Sequence, residues 1–217
     1  MPTISIENYL KAIWHLQRAS ERVKTKSLAT HLGVAQPSAT NMLKALEGHG
    51  YVEYAAYRGA RLTPSGQQVA LKVIRNHRLI EAFLVETLGY SWADVHDEAE
   101  RLEHAVSDEL IDRIDAFLGH PVADPHGDPI PTPEGRIDAQ DTLPLDEAVP
   151  GTTVQIVRVL AQEPDILRHL AEMMLVPGAE ARVLRIDPYE GPVWLQTEGE
   201  HAIGRPLASR LRVRALG

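Results

Sequence analysis

Residues 96–104 concentrate side chains that bind metal ions. On a helical wheel, two imidazoles and two carboxylates of this segment fall within an arc of about 100°. They are His96, Glu100, Glu103 and His104. Crowded carboxylates repel one another unless a positive charge lies between them, and a divalent cation supplies such a charge. The segment therefore predicts a metal site, with a solvated helix face bearing His–Glu pairs as the alternative.

Two other segments offer donors of the same kind. His77 and Glu81 are four residues apart, so a helix presents them on one face, although an intrahelical pair alone also explains that spacing. Asn8, in the first predicted helix, adds a carbonyl oxygen. The chain of 217 residues contains no cysteine, which leaves nitrogen and oxygen ligands. Such ligands suit Mn(II) or Fe(II) better than a metal that prefers soft ligands.

Charge separates the N-terminal part of the chain from the rest. Residues 1–72 hold nine Lys and Arg against four Asp and Glu, whereas the whole chain has a net charge of −8. A basic segment suits a polyanion such as DNA, and an acidic remainder suits cations. A chance fluctuation of charge between domains is the alternative explanation.

Apolar periodicity and turn residues predict the architecture of this basic part. Helices are expected over Ser5–Arg18, Lys26–Leu32 and Pro37–Glu47, followed by a β-hairpin over Tyr51–Thr63. That order is typical of a winged helix-turn-helix, whose third helix enters the major groove of double-stranded DNA.

The third helix has one apolar side and one side suited to base edges. Asn41 and Lys44 lie opposite the apolar side, where Asn pairs with adenine and Lys with guanine or phosphate. A solvated helix face without DNA contacts is the alternative. The predicted DNA-binding residues, which include the start of the second helix and the hairpin tip, are Thr25, Lys26, Gln36, Pro37, Ser38, Thr40, Asn41, Lys44, Arg58 and Arg61.

The remainder predicts helices and then a small β domain. A long helix to Leu88 and a second over Ser91–Gly119 form a helical domain, and seven prolines between His120 and Pro150 indicate a linker. Alternating apolar residues after Pro150 predict an antiparallel barrel with one helix. The fold class is mostly α with small β. The predicted domains are residues 1–72, 73–120, 121–150 and 151–217.

The chain lacks the features of a secreted or membrane protein. Its first residues have no basic region followed by an apolar core, and no apolar stretch reaches the roughly 20 residues of a membrane span. We therefore expect a cytoplasmic protein with no membrane partner.

Several motifs together resemble the diphtheria-toxin-repressor family of metal-dependent transcription regulators, which includes the manganese transport regulators. The motifs run through nearly the whole chain, and His-Asp-Glu-Ala-x-Arg-x-Glu-His with an upstream His-Arg-Leu is the most specific. The matching segments are Glu7–Leu10, Leu28–Val34, Gln36–Gly48, Tyr57–Gly59, Leu62–Gly66, Asn76–Leu79, His96–Ser107, Gly127–Pro131 and Pro150–Gly151.

This resemblance implies a metal-activated homodimer that represses metal-uptake genes by binding an operator. Its three parts would be an N-terminal winged helix-turn-helix, a helical dimerisation and metal domain, and a C-terminal SH3-like, FeoA-type small β-barrel. The apolar face of Ser91–Gly119, with Phe83, Leu84 and Leu88, would form the dimer seam.

The resemblance also implies two metal positions per subunit. The primary position would use Asn8, Glu100, Glu103 and His104. The second would use His77, Glu81 and His96, with Glu163 and the nearby Asp165 from the C-terminal domain. The other C-terminal ligand position of the family falls on Ile166, which cannot bind a metal. Iron-responding members have Cys and Met where this chain has Glu100 and Asn8, and this difference favours manganese.

Two other functions remain as alternatives. A winged-helix regulator could respond to iron or to an organic ligand, with any metal incidental. A binuclear metal enzyme is the third class, but di-iron bundles carry Glu-x-x-His on two helices, and neither metal helix has that motif. We therefore expect no enzymatic activity.

Overall fold

The computed structural model describes residues 2–216, so Met1 and Gly217, the ends of the predicted first and last domains, lie outside the described residues. The chain forms two compact units. The first comprises residues up to His77 with Pro131–Arg136, and the second comprises Arg78–Ile130 with the residues from Ile137 onward. The predicted boundary after residue 72 falls inside a continuous helix.

The first unit has the predicted order of elements. It contains helices α1 (Ile4–Gln17), α2 (Thr25–His31) and α3 (Gln36–Gly48), then strands β1 (Val52–Ala55) and β2 (Gly59–Leu62). The strands pair as an antiparallel hairpin, the wing. The predicted winged helix-turn-helix is confirmed.

Local sequence explains where these helices start and how they pack. The Thr3 hydroxyl accepts a hydrogen bond from the Ile6 amide and caps α1, and a proline in the first turn of α3 needs no amide partner there. The helices share one apolar core, in which the fully buried side chains include Leu10, Ile13, Leu28, Leu43 and Leu46.

The wing depends on a glycine. Gly59 has φ +89°, and a Cβ at this position would lie 2.4 Å from the carbonyl oxygen of Val23. Val23 and Ala60 exchange backbone hydrogen bonds of 2.8 and 3.0 Å beside this contact. The close approach therefore fastens the wing to the segment before α2.

The helical domain differs from its prediction. The long helix α4 (Pro64–Leu88) is confirmed, but the helix predicted over Ser91–Gly119 is wrong, because two helices occupy this range. They are α5 (His96–Leu102) and α6 (Asp108–Phe117). The Ser107 hydroxyl accepts from the Leu110 amide at 3.2 Å and so begins a new helix.

The proline-rich segment is mostly irregular, as predicted, but its last part belongs to the barrel. Strand β3 (Leu143–Pro144) pairs with the last strand of the chain, and the following 3-10 turn buries Leu145 in the barrel core. The prediction of a linker over residues 121–150 is therefore wrong at Leu143 and Pro144, which form a strand of the barrel sheet. The pairing is possible because this strand lies at the edge of the sheet.

The C-terminal domain is a six-stranded antiparallel sheet in the order β3-β8-β4-β5-β6-β7. The prediction of an SH3-like domain is confirmed. The prediction omitted β3, β7 and α8, which are short elements with weak apolar patterns. The elements after β3 are β4 (Thr153–Val159), α7 (Pro164–Glu172), β5 (Glu180–Ile186), β6 (Val193–Gln196), β7 (Glu200–Ile203), α8 (Arg205–Ala208) and β8 (Leu211–Leu216).

Within residues 2–216, no helix combines the length and apolarity needed to cross a lipid bilayer.

Replacing Gly59 by Ala is expected to lower the free energy of unfolding by about 1–3 kcal/mol, because the methyl group adds a clash to the strain of a positive φ. Gly33→Ala is the matched control, since Gly33 also has a positive φ, +64°, but no atom lies within 4 Å of the position that its Cβ would take. Urea unfolding of the full chain measures both variants. Equal losses would show that the contact with Val23 is unimportant.

Candidate metal centre and DNA-binding surface

Helix α4 carries the first pair of candidate ligands. His77 and Glu81 lie one turn apart on it, and both are buried, with 6% and 2% of their surface exposed. The sequence left open a solvated His–Glu pair. Burial of both residues argues against that alternative, because an ionised carboxylate is removed from water only where other polar groups stabilise it.

Glu81 lies beside the candidate ligands of α5 in the second unit. His96 Nδ1 lies 3.2 Å from Glu81 Oε1, and His96 Nε2 lies 3.6 Å from Glu100 Oε1. One imidazole therefore bridges two carboxylates from different helices. The helical spacing of His96 and Glu100 predicted this proximity, and the fold adds Glu81 to it.

Glu103 and His104 reach their positions through a turn. The wheel assumed that a helix continues through residue 104, but α5 ends at Leu102, Glu103 is its C-cap, and His104 follows in a turn. The two side chains nevertheless meet, with His104 Nε2 3.1 Å from Glu103 Oε1. Glu103 is only 1% exposed. A buried carboxylate beside an imidazole is a donor pair suited to a divalent cation.

Two further donors lie outside the residues predicted from the sequence. Asp124 and His126 lie in the proline-rich segment, and their ligand atoms and one of Glu81 all fall within 4.8 Å of one another. All three residues are buried. No helical or strand periodicity marks residues 124–126, so no sequence pattern could place them beside α4.

Burial and neighbouring charges shift the pKa values of Asp124 and His126 in this cluster. Burial, followed by the charges of Asp128 and Glu81, raises the pKa of the Asp124 carboxyl. Burial lowers the pKa of the His126 imidazole, but its hydrogen bond to Glu81 and the nearby acids raise that pKa to about 9 overall. The acids of the cluster thus favour a positive charge at this position.

Asn8 satisfies one criterion for a metal ligand. Its Oδ1 atom is buried and has no hydrogen-bond partner among residues 2–216. A buried carbonyl oxygen without a partner is unfavourable by about 1–3 kcal/mol. Coordination of a cation would remove that cost, so the donor set fits the metal that the motifs imply.

The two candidate ligands in the barrel lie elsewhere. Within the described part of the chain, Glu163 and Asp165 belong to no cluster of potential ligands. Glu163 forms an ion pair with Arg210, and this hydrogen bond holds the pKa of the Glu163 carboxyl at about 2. The Asp165 side chain is fully exposed and lies 3.5 Å from Arg168.

The predicted DNA-binding face of α3 is exposed as its apolar periodicity requires. Ala39, Leu43 and Leu46 are buried, and Met42 packs against the same core. The opposite side presents Asn41 and Lys44, and the exposed residues at the start of the helix are Gln36, Pro37 and Ser38. The Thr40 hydroxyl donates to the Gln36 carbonyl at 3.0 Å, so its proton is already used within the helix.

A groove of about 410 Å³ lies between α2, α3 and the wing. Five of the predicted residues line it, and the lining residues that were not predicted include Lys24, Tyr54 and Tyr57. Tyr57 is fully exposed at the wing tip, with φ +65°. The lining residues are Lys24, Thr25, Lys26, Gln36, Thr40, Lys44, Tyr54, Ala56, Tyr57 and Gly59. Three lysines in one groove favour contact with phosphates.

The two predicted wing arginines differ in their surroundings. Arg58 is exposed at the wing tip. Arg61 lies 2.7 Å from Glu53 and 3.4 Å from Glu21, so its guanidinium is already paired with acids. Arg61 is therefore less available for contact with a phosphate than the lysines of the groove.

Comparison with protein families covers almost the whole chain. Residues 1–60 match the N-terminal DNA-binding domain of iron-dependent repressors, and residues 63–132 match their metal-binding and dimerisation domain. Residues 143–215 match the FeoA domain.

Metal-dependent repressors are similar to this protein over most of its length. The iron-dependent repressor IdeR of Mycobacterium tuberculosis is 31% identical over an alignment of 189 positions that covers 82% of each chain. A manganese-dependent transcriptional repressor solved with manganese is 38% identical, with a TM-score of 0.87 over 97% of this chain and all of that one. The structure of the manganese regulator SloR is 32% identical, with a TM-score of 0.76 over 97% and 98% of the two chains.

A winged helix with a basic groove, followed by helices that bear buried carboxylates and imidazoles, defines a metal-dependent DNA-binding regulator. Together with the comparisons, this assigns the chain to a family. The chain belongs to the diphtheria-toxin-repressor family of metal-dependent transcriptional repressors, and it is therefore not an enzyme.

We expect Lys44→Ala to reduce the salt dependence of DNA binding more than Arg61→Ala, because Arg61 is already paired with Glu53 and Glu21. The slope of log K against log salt should fall by about 1 for Lys44→Ala. Fluorescence anisotropy with a duplex that the wild-type protein selects from a random library measures both slopes. An equal fall for Arg61→Ala would contradict the argument from ion pairing.

Proposed function

We propose that this protein is a Mn(II)-activated homodimeric repressor of metal-uptake genes. The observation that carries the proposal is the set of carboxylates and imidazoles on α4, on α5 and in the turn after it, of which His77, Glu81 and Glu103 are buried, in a chain without cysteine. Hard oxygen donors with imidazole suit Mn(II), and Fe(II) is the next candidate. Support also comes from a similar repressor that was solved with manganese.

The proposed primary site consists of Asn8, Glu100, Glu103 and His104. The burial of Glu103, its proximity to His104 and the unpaired Oδ1 atom of Asn8 support this set. A divalent cation held there supplies two positive charges, which balance the two carboxylates.

The proposed second site consists of Glu81, His96, Asp124 and His126, with His77 one turn before Glu81. The shared contacts of Glu81 with His96, Asp124 and His126 support this set. It replaces the resemblance-based proposal of Glu163 and Asp165, because those carboxylates are paired with arginines on the barrel.

Ligation by Asn8 would connect metal binding to DNA binding. Asn8 precedes two buried residues of α1, Tyr9 and Leu10, in the core of the winged helix. A cation that binds Asn8 would restrict the motion of the DNA-binding unit. The unit would then lose less conformational entropy when it binds the operator. Coupling of this kind amounts to about 1–3 kcal/mol, which is a 5- to 150-fold change in operator affinity.

A second copy of the chain is the proposed partner in the homodimer. Leu88, Leu110 and Phe117 expose 58%, 46% and 69% of their surfaces in the second unit. Phe83 contacts Phe117 edge to face at 6.1 Å, but Leu84 lies in the internal core and is not available. A symmetric pair of winged helices would then read two half-sites roughly 34 Å apart on double-stranded DNA.

Glu103→Gln is expected to abolish the Mn(II) dependence of DNA binding, because it removes a buried negative charge and keeps the side-chain size. Affinity for a duplex selected in the presence of MnCl2 should drop about 5- to 150-fold, to the level of the chelator-treated wild type. Anisotropy titrations with Mn(II), Fe(II), Co(II) and Zn(II) compare the metals.

Glu109→Gln is the matched control, because Glu109 is 76% exposed on α6 and pairs only with Arg113 among the interactions described for it. Its metal dependence should equal that of the wild type. Full Mn(II) dependence in Glu103→Gln would remove Glu103 from the site. Binding that persists in chelator would instead favour a regulator that responds to an organic ligand.

Phe117→Glu is expected to shift the protein toward monomer in sedimentation velocity, because a charge would enter the proposed dimer seam. Tyr189→Glu is the control, since Tyr189 is a fully exposed aromatic residue on the barrel. A dimer that persists in Phe117→Glu at wild-type strength would move the interface to another surface.

A further inference from the structure

The loop that carries Asp124 and His126 has a defined internal structure. We name residues 122–130 the ligand loop. Asp124 Oδ1 accepts hydrogen bonds from the amides of His126 and Asp128, at 2.8 and 2.9 Å. The ends of the loop are joined by the Ile130 amide, which donates to the Val122 carbonyl at 2.9 Å. One carboxylate oxygen of Asp124 thus orders the loop, and the other, Oδ2, lies on the side of Arg78.

The backbone of the ligand loop is docked on strand β4 of the barrel. The Val159 amide donates to the His126 carbonyl at 2.8 Å. Gly127 has φ +83°, and a Cβ on it would lie 2.0 Å from the Val157 carbonyl oxygen. The approach is so close that only glycine fits, and it fixes the height of the loop above β4.

Buried charges hold the loop from both sides. Asp128 forms an ion pair with Arg158 of β4 and lies 3.2 Å from Arg78 of α4. Arg78 also lies 3.6 Å from Asp124. The four side chains expose between 3% and 13% of their surfaces. These arginine–aspartate contacts join α4, the ligand loop and the barrel.

The ring of His126 is oriented by a residue that packs on the barrel. His126 Nε2 lies 2.7 Å from the Trp92 carbonyl oxygen, and Trp92 packs against the barrel core. A carbonyl oxygen only accepts, so Nε2 must carry a proton and Nδ1 is the nitrogen left for a metal. Nδ1 lies 3.7 Å from Glu81 Oε2, on the side of the proposed second site.

We propose that the barrel is the positioning platform of the second metal site. Arg158 and the backbone of β4 hold the ligand loop so that Asp124 and His126 face Glu81. Among residues 2–216, no His, Asp or Glu side chain of the barrel belongs to the cluster itself. Arg158 is therefore a positioning residue, and the barrel affects metal binding without providing a ligand. This inference rests on the proposed second site and is independent of the primary site.

The test is the Mn(II) binding of full-length Arg158→Met, measured by isothermal titration calorimetry. We expect the wild type to bind two Mn(II) ions per chain. In Arg158→Met, one of the two should bind about 10- to 100-fold more weakly, the usual effect of losing a group that orients a ligand. Arg158→Lys keeps the charge beside Asp128 and should recover part of the affinity. Arg214→Met is the control, because Arg214 is an exposed arginine on the neighbouring strand β8.

Hydrogen exchange of the metal-free protein provides a second measurement. In Arg158→Met, protection should fall for the amides of residues 124–130 and Val159 and should remain elsewhere in the barrel. The variant Arg158→Met with Asp128→Asn keeps the buried charges balanced and covers the case in which the single variant does not fold. It should show the same loss of one Mn(II) ion.

Three results would overturn the proposal. Unchanged affinity for both ions in Arg158→Met would show that Arg158 does not position the ligands. Loss of protection throughout the barrel would show a general stabilising role. One ion per wild-type chain, still lost in Glu103→Gln, would eliminate the second site and with it this inference, while the proposed repressor function would stand.

Discussion

The constraint on which this protein depends is that carboxylates buried close together require a positive charge. Glu81 and Glu103 expose 2% and 1% of their surfaces, and each lies beside an imidazole. In water such groups repel weakly, but burial strengthens the repulsion and removes the solvent that would stabilise each charge. In the proposed function a divalent cation supplies that charge, and its binding would then also stabilise the folded state.

The buried ion pairs around the ligand loop contribute more to its conformation than to the free energy of folding. Removing a pair of buried charges together is often nearly neutral, whereas removing one partner is unfavourable by about 3–5 kcal/mol. The ring of Arg78, Asp124, Asp128 and Arg158 thus permits only one arrangement of the loop. Such specificity matters for metal binding, since ligands that are already in place lose little conformational freedom when they bind.

The DNA-binding unit has its own apolar core and its own concentration of positive charge. Its apolar residues form their own core, and its lysines collect in the groove between α2, α3 and the wing. The acidic groups are concentrated in the rest of the chain. The positive charge of the basic unit attracts phosphates.

The amino-acid sequence by itself determined the elements and the local pairs. Apolar periodicity, Pro37 and Gly59 specify the winged helix, and helical spacing alone brings His96 beside Glu100, because neighbours in a helix meet whatever the rest of the chain does. Tertiary structure decided the rest. Asp124 and His126 join Glu81 from more than 40 positions away, and Glu163 is held by Arg210 at a separation of 47 residues. These contacts depend on how the ligand loop docks on β4 and how the barrel closes, and no local pattern encodes a distance between segments that only folding brings together.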